Sequence, residues 1–97
     1  MRNDTVRLNG VRKKIDTLDD KIFKLIAKRF SYSAVVANCK KSLGMPLLQK
    51  KRLNELLKLR NDLALELNID RKFAKKLIRL IHDESLRLQK KSLRKVR

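Results

Sequence analysis

From Leu8 to Leu25 the chain places an apolar residue at every third or fourth position: Leu8, Val11, Ile15, Leu18, Ile22 and Leu25. After Gly10 neither Gly nor Pro recurs before Gly44-Met45-Pro46. This is a heptad seam on one long helix, running from about Asp4 to Leu43, with firm helix beginning nearer Val11 because Gly10 weakens the start. A helix of about 35–40 residues is roughly 55 Å long. A globule of this chain length is only about 25–30 Å across. The helix is too long for its own chain to bury, so its seam needs a partner. The simplest partner is a second copy lying alongside, and an intertwined helical homodimer is expected.

The rest of the chain reads as two more helices. Gly44 serves as a C-cap and Pro46 prevents the ladder from continuing. A second helix runs from about Leu48 to Leu67, with Leu53, Leu56, Leu57, Leu63, Ala64 and Leu67 apolar. Asn68-Ile69-Asp70 breaks it, and Asp70 is a good N-cap for a third helix from about Arg71 to Lys91. Phe73, Ala74, Leu77, Ile78, Leu80, Ile81 and Leu88 give that helix a face to bury. The expectation is an all-α, three-helix chain with a long first helix. It forms one domain over residues 1–97, with a core at about 8–91 and a basic tail at 92–97 that is a solvated helix end.

The formal charge is +17, from 27 basic against 10 acidic residues. Such a field draws in anions of every kind. A basic helical protein that binds nucleic acid is therefore the alternative from another functional class. Against it, there is no recognition-helix motif, four aromatic residues offer little stacking surface, and the cations of interest lie on the seam rather than on exposed faces. Cys39 is the single cysteine and is expected to be a small packing residue. No Cys/His cluster suits a metal, no apolar run approaches the length that spans a bilayer, and no signal-peptide core opens the chain, so a cytoplasmic protein with no metal or cofactor is expected. His82, the only histidine, reads as a surface residue, with Asp83 and Glu84 adjacent but not facing it on a helix.

Polar groups on the apolar faces carry the functional signal. The next seam position after Leu25 is Arg29, and the stripe resumes through Tyr32, Val36 and Cys39, with Lys40 beside it. A cation on a buried stripe is costly unless an anion meets it, and acids are scarce here, so the anion is expected from outside the chain. Arg29 and Lys40 point within roughly 20° of each other, about 16 Å apart along the axis, and could bracket a small anion. Arg12 lies roughly 25 Å from Arg29 and about 100° around the helix, so one small ligand cannot touch both in one chain. Arg12 fits a site on the partner chain instead. On the third helix Ile78, Ile81, Ser85 and Gln89 form one strip, two apolar residues followed by two hydrogen-bonding ones. Arg52, just inside the second helix, could close a cavity above them.

Val11-Arg12-Lys13-Lys14-Ile15-Asp16 with Leu18-Asp19 resembles the opening of the all-α (AroQ-class, type II) chorismate mutases, with Arg29, Lys40, Pro46, Arg52, Ser85 and Gln89 in register over about residues 8 to 91. The resemblance implies an intertwined dimer of three-helix chains. It implies a Claisen rearrangement of chorismate to prephenate, on the way to phenylalanine and tyrosine, without cofactor. In that scheme Arg29, Arg52 and the partner's Arg12 bind the carboxylates of a small dicarboxylate, Ser85 assists at a carboxylate, and Lys40 and Gln89 hydrogen-bond the ether oxygen. Lys40, Gln89 and Arg29 are the catalytic set. Two positions depart from the usual pattern: Leu53 follows Arg52 where the family has Glu, an acid that contacts the ring hydroxyl of chorismate, and Gln49 stands where Asp is common. Arg29-Phe30-Ser31-Tyr32 and the aliphatic Leu53 also resemble isochorismate-pyruvate lyases of the same fold, which release salicylate and pyruvate. That activity is the alternative within the family.

Overall fold

A computed structural model describes residues 2–95; residues 96–97, the end of the expected basic tail, lie outside the described residues. Four helical segments follow one another: α1 (Arg2–Ser31), α2 (Ser33–Ser42), α3 (Lys50–Glu66) and α4 (Arg71–Lys95). No strand occurs among the described residues. The architecture is all-α, as the sequence pattern predicts. The stretch expected to form one long first helix is helical as two segments, α1 and α2, separated at the single residue Tyr32.

A side-chain hydrogen bond accompanies the interruption. The Ser31 hydroxyl donates to the Lys28 carbonyl at 2.5 Å, which is the acceptor that the Tyr32 N–H would use in an unbroken helix. Tyr32 keeps a right-handed backbone at φ −82°, ψ −7°. The ladder resumes at once, with the Val36 N–H donating to the Tyr32 carbonyl at 3.0 Å. The chain divides at the same point into two compact units, one ending at Ser31 and the other beginning at Tyr32.

In the first unit α1 is a solvated rod. Leu8, Val11, Ile15, Leu18, Ile22 and Leu25 are all exposed. Its polar face carries a 2.7 Å ion pair between Lys24 and Asp20, an i,i+4 pair worth a few tenths of a kcal/mol at such an exposed site.

In the second unit α4 packs against both α2 and α3. Its two connections are built from the same device. At the end of α2 the Gly44 N–H donates to Lys41 O (3.1 Å) and the Met45 N–H to Lys40 O (2.8 Å), with Gly44 at φ +66°. At the end of α3 the Asn68 N–H donates to Leu65 O (3.3 Å) and the Ile69 N–H to Ala64 O (2.9 Å), with Asn68 at φ +56°. Both are Schellman caps, which satisfy the last carbonyls of a helix and need a residue that tolerates the left-handed region. Asp70 caps α4 as expected, its Oδ2 accepting from the Phe73 N–H at 2.9 Å. Because an alanine Cβ at Gly44 would meet no atom, Gly44→Ala tests the backbone conformation alone. It is expected to cost about 1 kcal/mol, read as a lower urea midpoint at unchanged slope and fixed protein concentration.

The core of this unit is small. Among the described residues the buried apolar side chains are Ala37, Leu56, Ala64 and Ala74. The face expected on the third helix is only partly covered: Ala74 is buried, but Phe73, Leu77 and Leu80 are exposed, as is Cys39. Leu63, Leu67, Phe73 and Leu77 border an apolar groove of about 130 Å³ between α3 and α4. A single copy leaves much of its apolar surface in water, well beyond the scattered exposure ordinary for a monomer.

Candidate active site

Lys40 lies on the last turn of α2, where its own carbonyl is held by the Schellman cap. The side chain is half-buried. Its Nζ donates to Gln89 Oε1 on α4 at 2.9 Å and to the Leu47 carbonyl in the α2–α3 connection at 2.5 Å. Three elements thus fix one ammonium group. Burial holds the Lys40 amine below its ordinary pKa of 10.5, since a desolvated amine is less easily charged.

An ammonium has three N–H donors. Two are used by Leu47 and Gln89, and the third has no partner among the described residues. Gln89 is buried, 6% exposed. Its Oε1 is taken by Lys40, which fixes the amide orientation and leaves Nε2 as a donor. The pair therefore offers two adjacent hydrogen-bond donors, one charged and one neutral, from a partly dry site. This arrangement stabilises an oxygen that carries or gains negative charge.

The remaining expected residues fall in three places. Ser85, one turn before Gln89 on α4, is buried at 9% exposure. Gln49, the extended N-cap of α3, and Arg52 in its first turn border an open depression of about 590 Å³ together with Pro46 and Leu48. Leu53 beside them is half-buried. Arg12 and Arg29 both lie on α1, in the other unit, and both are exposed in the single chain. Lys40 with Gln89 is the juxtaposition made within one unit, by residues far apart in sequence.

Two features were not foreseen. The Leu47 carbonyl is a backbone group that no side-chain pattern announces. His82 is half-buried rather than on the surface, with 14% of its side chain exposed, because it shares a helix face with Ser85 and Gln89 at spacings of three and four. That spacing was the available signal. Glu84 is tied instead to Arg87, whose Nε and Nη2 donate to its two oxygens at 2.6 and 2.9 Å. The hydrogen bond from Arg87 holds the Glu84 carboxyl below the usual carboxylate range. No group of His, Cys, Asp and Glu among the described residues could hold a metal ion, and none of the described helices is long and apolar enough to cross a membrane.

A family model described as chorismate mutase type II matches residues 11–90. A protein named chorismate mutase from Methanocaldococcus jannaschii is 36% identical over 87 residues, covering 90% of this chain and 88% of that protein.

Proposed function

The chain belongs to the chorismate mutase type II family, and from that premise we propose that it rearranges chorismate to prephenate as a homodimer, each chain completing the other's site. The observation that carries this reading is the Lys40–Gln89 pair, held at 2.9 Å with one donor on each side chain left for a ligand. In the rearrangement the ether C–O bond breaks while a C–C bond forms in the same molecule. No proton is transferred and no covalent intermediate with the enzyme is needed. As the C–O bond breaks, negative charge grows on the ether oxygen. The third N–H of Lys40 and the Nε2 of Gln89 point donors at that oxygen before the reaction begins, so no reorganisation is required at the moment of bond breaking.

The second contribution is conformational. Chorismate must be held folded, with its enolpyruvyl arm over the ring, and fixing such a near-attack geometry can supply a large part of the acceleration. Two carboxylates provide the handles. Arg29 and Arg52 bind them from one chain and Arg12 from the other, Ser85 adds a hydroxyl, and Gln49 and Leu53 form wall. Guanidinium groups suit this work because their planar forks grip carboxylates at two points.

The homodimer is supported by the exposed seam of α1 and the uncovered apolar groove of the α3–α4 hairpin. A second copy covers both kinds of surface, and isologous pairing makes each chain donor and recipient of the same arginine. The high positive charge helps to draw in a dianionic substrate.

The test is an assay of the purified protein with chorismate and, separately, isochorismate. The expected result is loss of chorismate with prephenate as the product. Salicylate and pyruvate from isochorismate, with chorismate untouched, would replace the mutase by the lyase. Inertness toward both, with tight salt-sensitive DNA binding, would remove the enzyme reading altogether.

A further inference from the structure

The hairpin of α3 and α4 carries a second cavity, which neither Lys40 nor Gln89 borders, and its charge has one sign. It holds about 500 Å³ over a floor of Leu57, Ala74 and Ile78. Five cations border it, among them Lys58, Arg71 and Lys75, and no acid does. The ion pairs among the described residues are Lys24 with Asp20, Arg87 with Glu84 and the long contact of His82 with Asp83. The rim cations are therefore unanswered, and so are Asp16 and Asp19 on α1. Like charges gathered around an apolar floor repel one another and attract an anionic partner.

The first helix carries the matching charge beside a matching apolar surface. Its exposed seam includes Ile15, Leu18 and Ile22. At about 100° per residue, Arg12, Asp16 and Asp19 lie within about 60° of one another along one edge of that seam. Lys14, Lys21 and Lys28 lie along the other edge. Only the first edge can face a basic rim without repulsion. The spacing agrees as well. Asp16 and Asp19 lie about 6 and 10 Å beyond Arg12 along α1, and Lys58 lies about 9 Å beyond Arg52 along α3. A helix laid parallel to α3, with Arg12 level with Arg52, brings the two acids to either side of Lys58. We propose that the α1 of a second copy occupies this groove, with its seam on the floor and Asp16 and Asp19 paired with the rim cations Lys58 and Lys75. These are positioning contacts: they set the axial register that delivers Arg12 to the neighbouring chain's site. The inference rests on the homodimer reading above and adds to it the surface and the charges that align the two copies. Exposed ion pairs contribute little singly, but two-fold symmetry makes each of them twice, and a slipped register sets like charges together.

The experiment mixes two charge-reversed chains, Asp16→Lys/Asp19→Lys and Lys58→Glu/Lys75→Glu, and counts dimers by native mass spectrometry. In each variant alone, like charges meet at both copies of the contact. Each homodimer is expected to dissociate about tenfold more readily than the wild type at about 0.1 M salt, with a larger effect at lower salt. In the mixed dimer each reversed edge meets a reversed rim and each native edge a native rim, so every contact is attractive again. The mixed dimer is expected to bind within about threefold of the wild type and to dominate the mixture. A statistical mixture of dimers as tight as the wild type would overturn the proposal. So would weakened pairing that mixing does not restore, which would mean that the acids act within their own chain. If a reversed chain does not fold, Asp16→Asn/Asp19→Asn takes its place. Its dissociation constant is expected to depend less on salt than that of the wild type, and an equal dependence overturns the proposal. A wild type that stays monomeric at every concentration sinks both this inference and the homodimer reading. A wild-type dimer whose variants pair at random sinks only this one.

Discussion

Lys40→Met is expected to lower kcat for chorismate by about 100- to 1,000-fold, the loss of roughly 3–4 kcal/mol typical when one preorganised donor to a developing oxyanion is removed. Methionine keeps much of the volume of the lysine stem but has no N–H. The Leu47 carbonyl and Gln89 Oε1 lose their donor, and the reacting oxygen loses a charged one. KM should change far less than kcat, because the interaction strengthens mainly in the transition state. The pH dependence has a definite sign. Activity requires the charged amine, so it falls as pH rises through the Lys40 pKa, which burial places below 10.5. Stability moves the other way. Between the folded-state pKa and the ordinary value the unfolded chain binds more protons, so the Lys40 contribution to stability improves as pH rises through that window. Below the window its desolvation cost is present in full. A rate profile that falls while urea stability rises over the same pH range is the combined signature.

Arg29→Ala and Arg12→Ala are each expected to lower kcat/KM by about 100-fold or more, since each removes a charge-assisted, two-point contact to a carboxylate and leaves that charge unpaired. Lysine at either position should recover only part of the loss, because an ammonium cannot reproduce the planar fork. The informative point is that both are needed. They lie roughly 25 Å apart along α1, too far for one small ligand to bridge in one chain. Circular dichroism of both variants should match the wild type, as both side chains are exposed in the single chain.

The helix boundaries were legible because their chemistry is local. Gly44 and Asn68 carry the left-handed backbone that ends a helix, and Asp70 carries the carboxylate that starts one. The break at Tyr32 is not legible in the sequence, because no Gly or Pro marks it. Of the site, Lys40 and Gln89 were each visible as polar groups on apolar strips, but their pairing spans 49 positions and is made only by the packing of α2 on α4. His82 reads as a surface residue but is half-buried, because on a helix it shares the face of Ser85 and Gln89, three and seven positions on. The buried faces of the third helix were overestimated for one chain. Phe73, Leu77 and Leu80 have the pattern of core residues, but a single copy does not cover them.

The central claim is that cations from two chains act on one doubly charged substrate, and mixing two inactive variants measures it directly. Arg12→Ala and Arg29→Ala are unfolded together, refolded and assayed with chorismate. Random pairing makes half the dimers mixed, and each mixed dimer regains one intact site of two, so about a quarter of wild-type activity should return although neither variant is active alone. A mixture as inactive as its components, or a wild-type protein that turns over chorismate as a monomer, would contradict the account.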